Sequence, residues 1–285
     1  MTNSSSNSIL LIGESDVGKT HYGAQLLKRL MVSDGEVKMN GAATNLKPFE
    51  AALENLTEGV AAEHTPTSSY LDSIWPITNR AGLHAQLVWP DYGGEQIRTM
   101  FESRRVSDAW RERILQAQAW MLFVRLQRIH RTEDILSRPL ADLKNPKVAP
   151  APTLEAVKLS DQSRLVELMQ MLLYVRKADT YRRLRTPRLV LLLTCWDELD
   201  TARSPTDTLH EFLPMLSDFV AATWESPLVM GLSALGRSLQ PKRPDPDYIA
   251  RGPENFGYVV LPDGLRSEDL TLPLKMTLSD LSHAI

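Results

Sequence analysis

Gly13-Glu14-Ser15-Asp16-Val17-Gly18-Lys19-Thr20 fits the spacing G-x-x-x-x-G-K-[ST] at every position. The chemistry that spacing serves is the holding of a triphosphate. Glycines let backbone N–H groups curl around the β-phosphate, and the helix that follows presents its positive dipole end. A lysine reaches the β and γ oxygens, and a hydroxyl ligates Mg²⁺. On this reading the run from Gly13 to Thr20, with His21 beside it, binds nucleotide. Lys19 is also catalytic, and Thr20 is a metal ligand.

Three further patterns lie downstream. Asp91-Tyr92-Gly93-Gly94 contains D-x-x-G, so Asp91 is expected to hold Mg²⁺ through a water and the Gly94 amide to sense a γ-phosphate. Thr194-Cys195-Trp196-Asp197 places a carboxylate directly after an apolar run. Such a carboxylate accepts from both the ring N–H and the exocyclic amine of guanine, a pattern adenine lacks. Each charge-assisted bond is worth about 1.5–3 kcal/mol, so Asp197 decides the base. Ser233-Ala234-Leu235 could bring a hydroxyl and backbone groups to the same base.

These residues need elements to carry them. Ser8 to Ile12 is short, apolar and partly β-branched, which suits a buried parallel strand. Tyr22, Leu26, Leu27 and Leu30 then recur at helical spacing. Residues 33–67 are mixed, with a short helix at Pro48 to Leu56. Ser69 to Ile77 and His84 to Trp89 read as strands joined by a turn at Asn79 to Gly82, and Glu95 to Ala117 as one or two helices. Trp120 to Leu126, Arg188 to Thr194 and Leu228 to Leu232 complete the core strands.

Ser160 is a good N-cap for a helix running to the basic cluster near Arg182, which reads as a charged helix end or as a dock for an acidic partner. Asp207 to Thr223 is helical, with Pro214 either kinking it or marking its start. A C-terminal helix begins near Ser267.

Fold class follows from this order: α/β, a doubly wound and mostly parallel sheet flanked by helices. Residues 1–7 form a disordered tail, and 8–285 form a single domain with Pro-rich insertions at about 130–160 and 237–264.

Composition sets limits. A net charge of -3 and a charged fraction of 24% favour neither nucleic acid nor an anionic membrane. No apolar run approaches the ~20 residues that cross a bilayer. One cysteine excludes an internal disulfide, and the start of the chain lacks a secretory pattern, so a cytoplasmic setting is expected. The six histidines are scattered without zinc-ligand spacing.

Taken together, the four patterns resemble the small Ras-like P-loop GTPases. GESDVGKT looks like their first motif, DYGG their third, TCWD their N/T-K-x-D base reader and SAL their S-A-K, in the family's order over residues 8–236. The mix also looks like divergent bacterial GTPase domains found beside conflict-system or phage-defence genes.

The resemblance implies GTP as ligand, Mg²⁺ as cofactor, slow hydrolysis, and a protein effector or neighbouring-gene product as partner. It also implies a switch threonine on Mg²⁺; Thr65 and Thr67 both qualify, and spacing prefers Thr67. Glu95 stands where the family's water-orienting Gln sits, so it is the second catalytic candidate, either as a base or as a carboxylate that repels the γ-phosphate. Cys195 stands where a Lys usually packs along the base. That departure leaves open an ATP-hydrolysing P-loop enzyme, and Glu95 leaves open an adaptor with little turnover.

Overall fold

The computed structural model describes residues 7–31, 35–61, 72–90, 93–130 and 160–282, with the side chains of 93–95 excepted. Its strands are β1 (Asn7–Ile12), β2 (Val37–Met39), β3 (Ser73–Asn79), β4 (His84–Trp89), β5 (Ala119–Arg125), β6 (Arg188–Thr194), β7 (Leu228–Ser233), β8 (Tyr258–Val260) and β9 (Arg266–Ser267). They form one sheet in the order β2-β3-β4-β1-β5-β6-β7-β8-β9.

The described helices are α1 (Lys19–Leu30), α2 (Lys47–Thr57), α3 (Gly93–Ser103), α4 (Asp108–Gln116), α5 (Asp161–Arg176), α6 (Pro205–Phe212), α7 (Pro214–Thr223), α8 (Pro246–Arg251) and α9 (Leu272–Ser282).

Side-chain alternation along the central strands builds two cores. Leu10, Ile12, Trp120, Leu122, Leu191 and Leu193 face one side, where Ile97, Trp110, Leu168, Leu172 and Leu216 of the helices cover them. Ile9, Leu11, Met121, Phe123, Val190 and Leu192 face the other, under Tyr22, Leu26 and Leu30 of α1 and Leu274 and Leu278 of α9. Strands buried on both faces read as continuous apolar runs because neither face meets water.

The expectation of a mostly parallel sheet needs correction. The β4, β1, β5, β6 and β7 strands run parallel. The pairs β2–β3, β3–β4, β7–β8 and β8–β9 are antiparallel. One antiparallel pair was legible: β3 and β4 are joined by the expected tight turn, where Gly82 takes φ 78° and Asn79 Oδ1 accepts from Leu83 N at 2.9 Å.

The other antiparallel edge lies in the stretch 237–264, expected as a Pro-rich insertion. It carries α8 and β8, and β8 extends the sheet by pairing Leu232 with Val259. Almost all of the 130–160 insertion, and residues 1–6 of the tail expected at 1–7, lie outside the described residues, whereas Asn7 is the first residue of β1.

Prolines and caps set the helix ends. Pro214 is the first residue of α7, so the 207–223 segment is two helices. Ser160 caps α5 by accepting from Ser163 N at 3.2 Å, as expected. Three residues of the basic run that starts at the end of α5 are used by the fold. Arg176 donates to the carbonyls of Ile114, Leu115 and Ala117, which the end of α4 leaves without helical partners. Arg185 pairs with Glu225 and Arg188 with Asp280.

Candidate functional site

Parallel pairing places the carboxyl ends of β1, β5, β6 and β7 on one rim. In register, Ile12 lies opposite Leu122, Arg125 opposite Thr194, and Thr194 opposite Leu232. The loop from Gly13 to Gly18, the Thr194–Asp197 turn and Ser233 therefore share that rim, where open α/β sheets hold ligands. Asp91 and Thr67 lie outside the described residues, and Gly94 and Glu95 fall in the opening turn of α3, where only the backbone is described.

The loop bends through left-handed residues. Asp16 takes φ 62° and Gly18 φ 81°, ψ 10° as it opens α1. Such a path turns successive N–H groups into one concavity. Gly13 is closely packed: a Cβ there would stand 3.0 Å from both Phe123 Cβ and Val17 Cγ2.

The Lys19 ammonium donates to the Gly13 carbonyl at 2.7 Å and to the Glu14 carbonyl. Enclosure by the loop pushes its pKa down to about 8, against the opposing pull of the Glu14 and Asp16 charges. His21 is also depressed, by burial first and then by the Arg125 charge. Thr20 sits half-buried in the first turn of α1.

Sequence reasoning missed what meets the two carboxylates that this loop carries beside the expected phosphate site. Arg128 pairs with Asp16 at 2.9 Å, and Arg164 of α5 pairs with Glu14 at 2.8 Å. Each acid is met by a guanidinium from another element, which reduces the repulsion a triphosphate would feel. Arg125 and Arg128 bracket the end of β5, next to β1; that adjacency was the available signal.

At the end of β6, Cys195 takes a left-handed φ of 52° and starts a single 3₁₀ turn over Trp196–Glu198. Asp197 Oδ1 accepts from Ser233 Oγ at 2.5 Å, and Ser233 Oγ in turn accepts from Gly236 N at 2.9 Å. The two segments expected to meet the same base are thus joined. Ala234 and Leu235 follow, with their side chains packed toward core clusters.

Thr194 is buried, and its hydroxyl has no hydrogen-bond partner among the described residues. Burial pushes the Cys195 thiol up to about 12, so this position supplies no charge near neutral pH. Its sulfur lies close to the loop, 3.6 Å from where a Cβ on Gly18 would stand. Asp197 also contributes, after burial, to raising the phenol pKa of Tyr258 on β8, whose ring lies 3.6 Å beneath the Arg266 guanidinium.

Trp196 anchors the turn by packing its indole against Gly231 of β7, where a Cβ would come within 2.6 Å of the ring. Gly231→Ala is therefore expected to cost about 1–3 kcal/mol of stability through overpacking. Urea unfolding checks this, and an unchanged midpoint would show that the indole moves aside freely.

Among the described residues no helix is long and apolar enough to cross a membrane, and no three His, Cys, Asp or Glu side chains converge as metal ligands.

No curated protein matches the chain. Among solved structures it is similar to a chain of the signal recognition particle receptor SRb-GTP/SRX complex from Chaetomium thermophilum, with 14% identity, 82% of this chain and 93% of that chain covered, and a TM-score of 0.37. The family description Double-GTPase 1 matches residues 10–277, a span that contains the phosphate loop, the Thr194–Asp197 turn and Ser233. With loop, turn and serine on one rim of the sheet and the match running nearly end to end, the chain belongs to the Double-GTPase 1 family and is a small-GTPase-like P-loop protein that binds and hydrolyses GTP.

Proposed function

We propose that this GTPase works as a Mg²⁺-dependent switch, in which the γ-phosphate orders residues 57–68 and 91–105 and hydrolysis releases them to a protein partner. The observation that carries the reading is the shared rim: a lysine ammonium inside a left-handed loop at one end of it, and a carboxylate held by a serine two strands away.

In this assignment the amides of residues 13–18 cradle the phosphates, and Lys19 reaches the β and γ oxygens. Asp197 reads guanine, with Ser233, Ala234 and Leu235 beside it, and Thr194 and Cys195 shape the base pocket. Gly94 senses the γ-phosphate, and His21, neutral, lines the start of α1. Glu95 takes the place of the family's water-orienting Gln, and a carboxylate there in place of an amide keeps the intrinsic rate slow.

The donor set fits Mg²⁺. A hydroxyl in the first turn of α1 is the hard oxygen such an ion takes when phosphates and waters fill its other positions. Thr20 would hold it, with Asp91 and Thr67 as the remaining candidates. The ion would supply charge neutralisation across the β and γ oxygens.

Limited proteolysis tests the switch. GTP with Mg²⁺ is expected to protect cleavage sites in 57–68 and 91–105, and GDP or chelation of the metal to restore them. A digestion pattern blind to nucleotide would sink the proposal.

A further inference from the structure

Arg125 is the last residue of β5 and faces both halves of the proposed nucleotide site. Its Nε donates to Glu198 Oε2 at 2.9 Å and its Nη2 to Glu198 Oε1, a two-pronged pair with the residue directly after Asp197. Its remaining nitrogen, Nη1, donates to the backbone carbonyl of Asp16 at 3.1 Å, inside the phosphate loop. Gln127, two residues on, donates to the Glu198 carbonyl, and Arg128 pairs with the Asp16 carboxylate. One strand end thus grips the base-reading turn and the phosphate loop together.

A planar guanidinium with a fixed fork of donors suits this task, because both contacts are set by a single rigid group. The neighbouring Cys195 is a neutral thiol and brings no cation to the junction.

We propose that Arg125 is a positioning residue: through Glu198 on one side and the Asp16 carbonyl on the other, it holds the base-reading turn at a fixed distance from the phosphate loop, so that base and phosphates of one GTP are bound together. The idea rests on the site reading above. Arg125 itself touches neither guanine nor phosphate in this scheme. It removes the freedom of the two subsites to drift apart, and that freedom is a cost only for a ligand that spans both.

The test uses the full chain and two ligands, GTP and inorganic tripolyphosphate, which engages the loop alone. Arg125→Ala is expected to weaken GTP roughly tenfold, mainly through faster release, while tripolyphosphate stays within about twofold. Glu198→Gln is expected to act in the same direction and gives an independent reading if Arg125→Ala folds poorly. Because both act through one bridge, the double variant should lose no more than Arg125→Ala alone.

Equal losses for GTP and tripolyphosphate would overturn the proposal, since they would mean damage to the loop. Unchanged GTP affinity in Arg125→Ala, alongside a weakened Asp197→Asn, would overturn it while leaving the site reading in place. Silence of Asp197→Asn would remove the base assignment, and the proposal with it.

Discussion

Lys19→Ala is expected to lower GTP affinity by about a hundredfold or more, because two charge-assisted bonds at roughly 1.5–3 kcal/mol each are lost. Titration with a fluorescent GTP analogue reads this directly, and affinity within a few-fold of the native chain would show that the loop's amides suffice.

The same residue makes a pH prediction. Its folded pKa of about 8 lies below the ordinary 10.5. Between those values the unfolded chain carries the proton more often than the folded one, so without nucleotide stability rises with pH across that window. Binding runs the other way. Phosphates favour the ammonium, so GTP affinity should hold up to pH of about 8 and then fall, approaching tenfold per pH unit while one proton is taken up on binding. Lys19→Met should flatten both profiles. A native chain whose affinity is level from pH 7 to 10 would contradict the enclosure of the ammonium described here.

Asp197→Asn carries the second large effect. Asp197 is poised by the Ser233 hydroxyl, which is itself fixed by the Gly236 amide. A carboxylate held this way loses little freedom on meeting a ring N–H and an exocyclic amine. Replacing it with an amide removes the charge and puts an N–H where an acceptor is needed, so GTP should weaken by tens to thousands of fold. Tripolyphosphate binding should not change, because the phosphate loop is untouched. Isothermal titration with GTP, ATP and tripolyphosphate separates these effects. Equal weakening of GTP and ATP would remove guanine reading from Asp197.

The central strands and the phosphate loop were legible in the residues for a local reason. A strand buried on both faces must be apolar throughout, so LLI, WMLFV and LVLLL announced themselves. The glycine-rich turn between β1 and α1 combines a left-handed position at Gly18 with close packing around Gly13. The outer strands gave a weaker signal. The three residues of β8 sit among prolines and glycines in a stretch that reads as a Pro-rich insertion, and it is pairing with β7 at Leu232 and Ser233 that makes them a strand.

Charge gave a similar lesson. The run from Arg176 to Arg188 is the densest basic segment in the chain, yet Arg176, Arg185 and Arg188 find carbonyls or carboxylates far away in sequence. Their partners could not be read from spacing, because an ion pair depends on where two elements cross.

What the sequence supplied by itself, then, is the chemistry proposed for each half of the site: a loop with the spacing that holds phosphates and a carboxylate of the kind that reads guanine. Both arise from neighbouring residues acting on their own backbone. Only the tertiary structure decided how those halves are joined, through Arg125 bridging Glu198 and the Asp16 carbonyl and through Ser233 reaching Asp197. The physical reason is range. A turn or a buried strand is encoded within a few residues, whereas a bridge between strand ends exists only after parallel register has brought residues some 70 to 110 positions apart to the same rim.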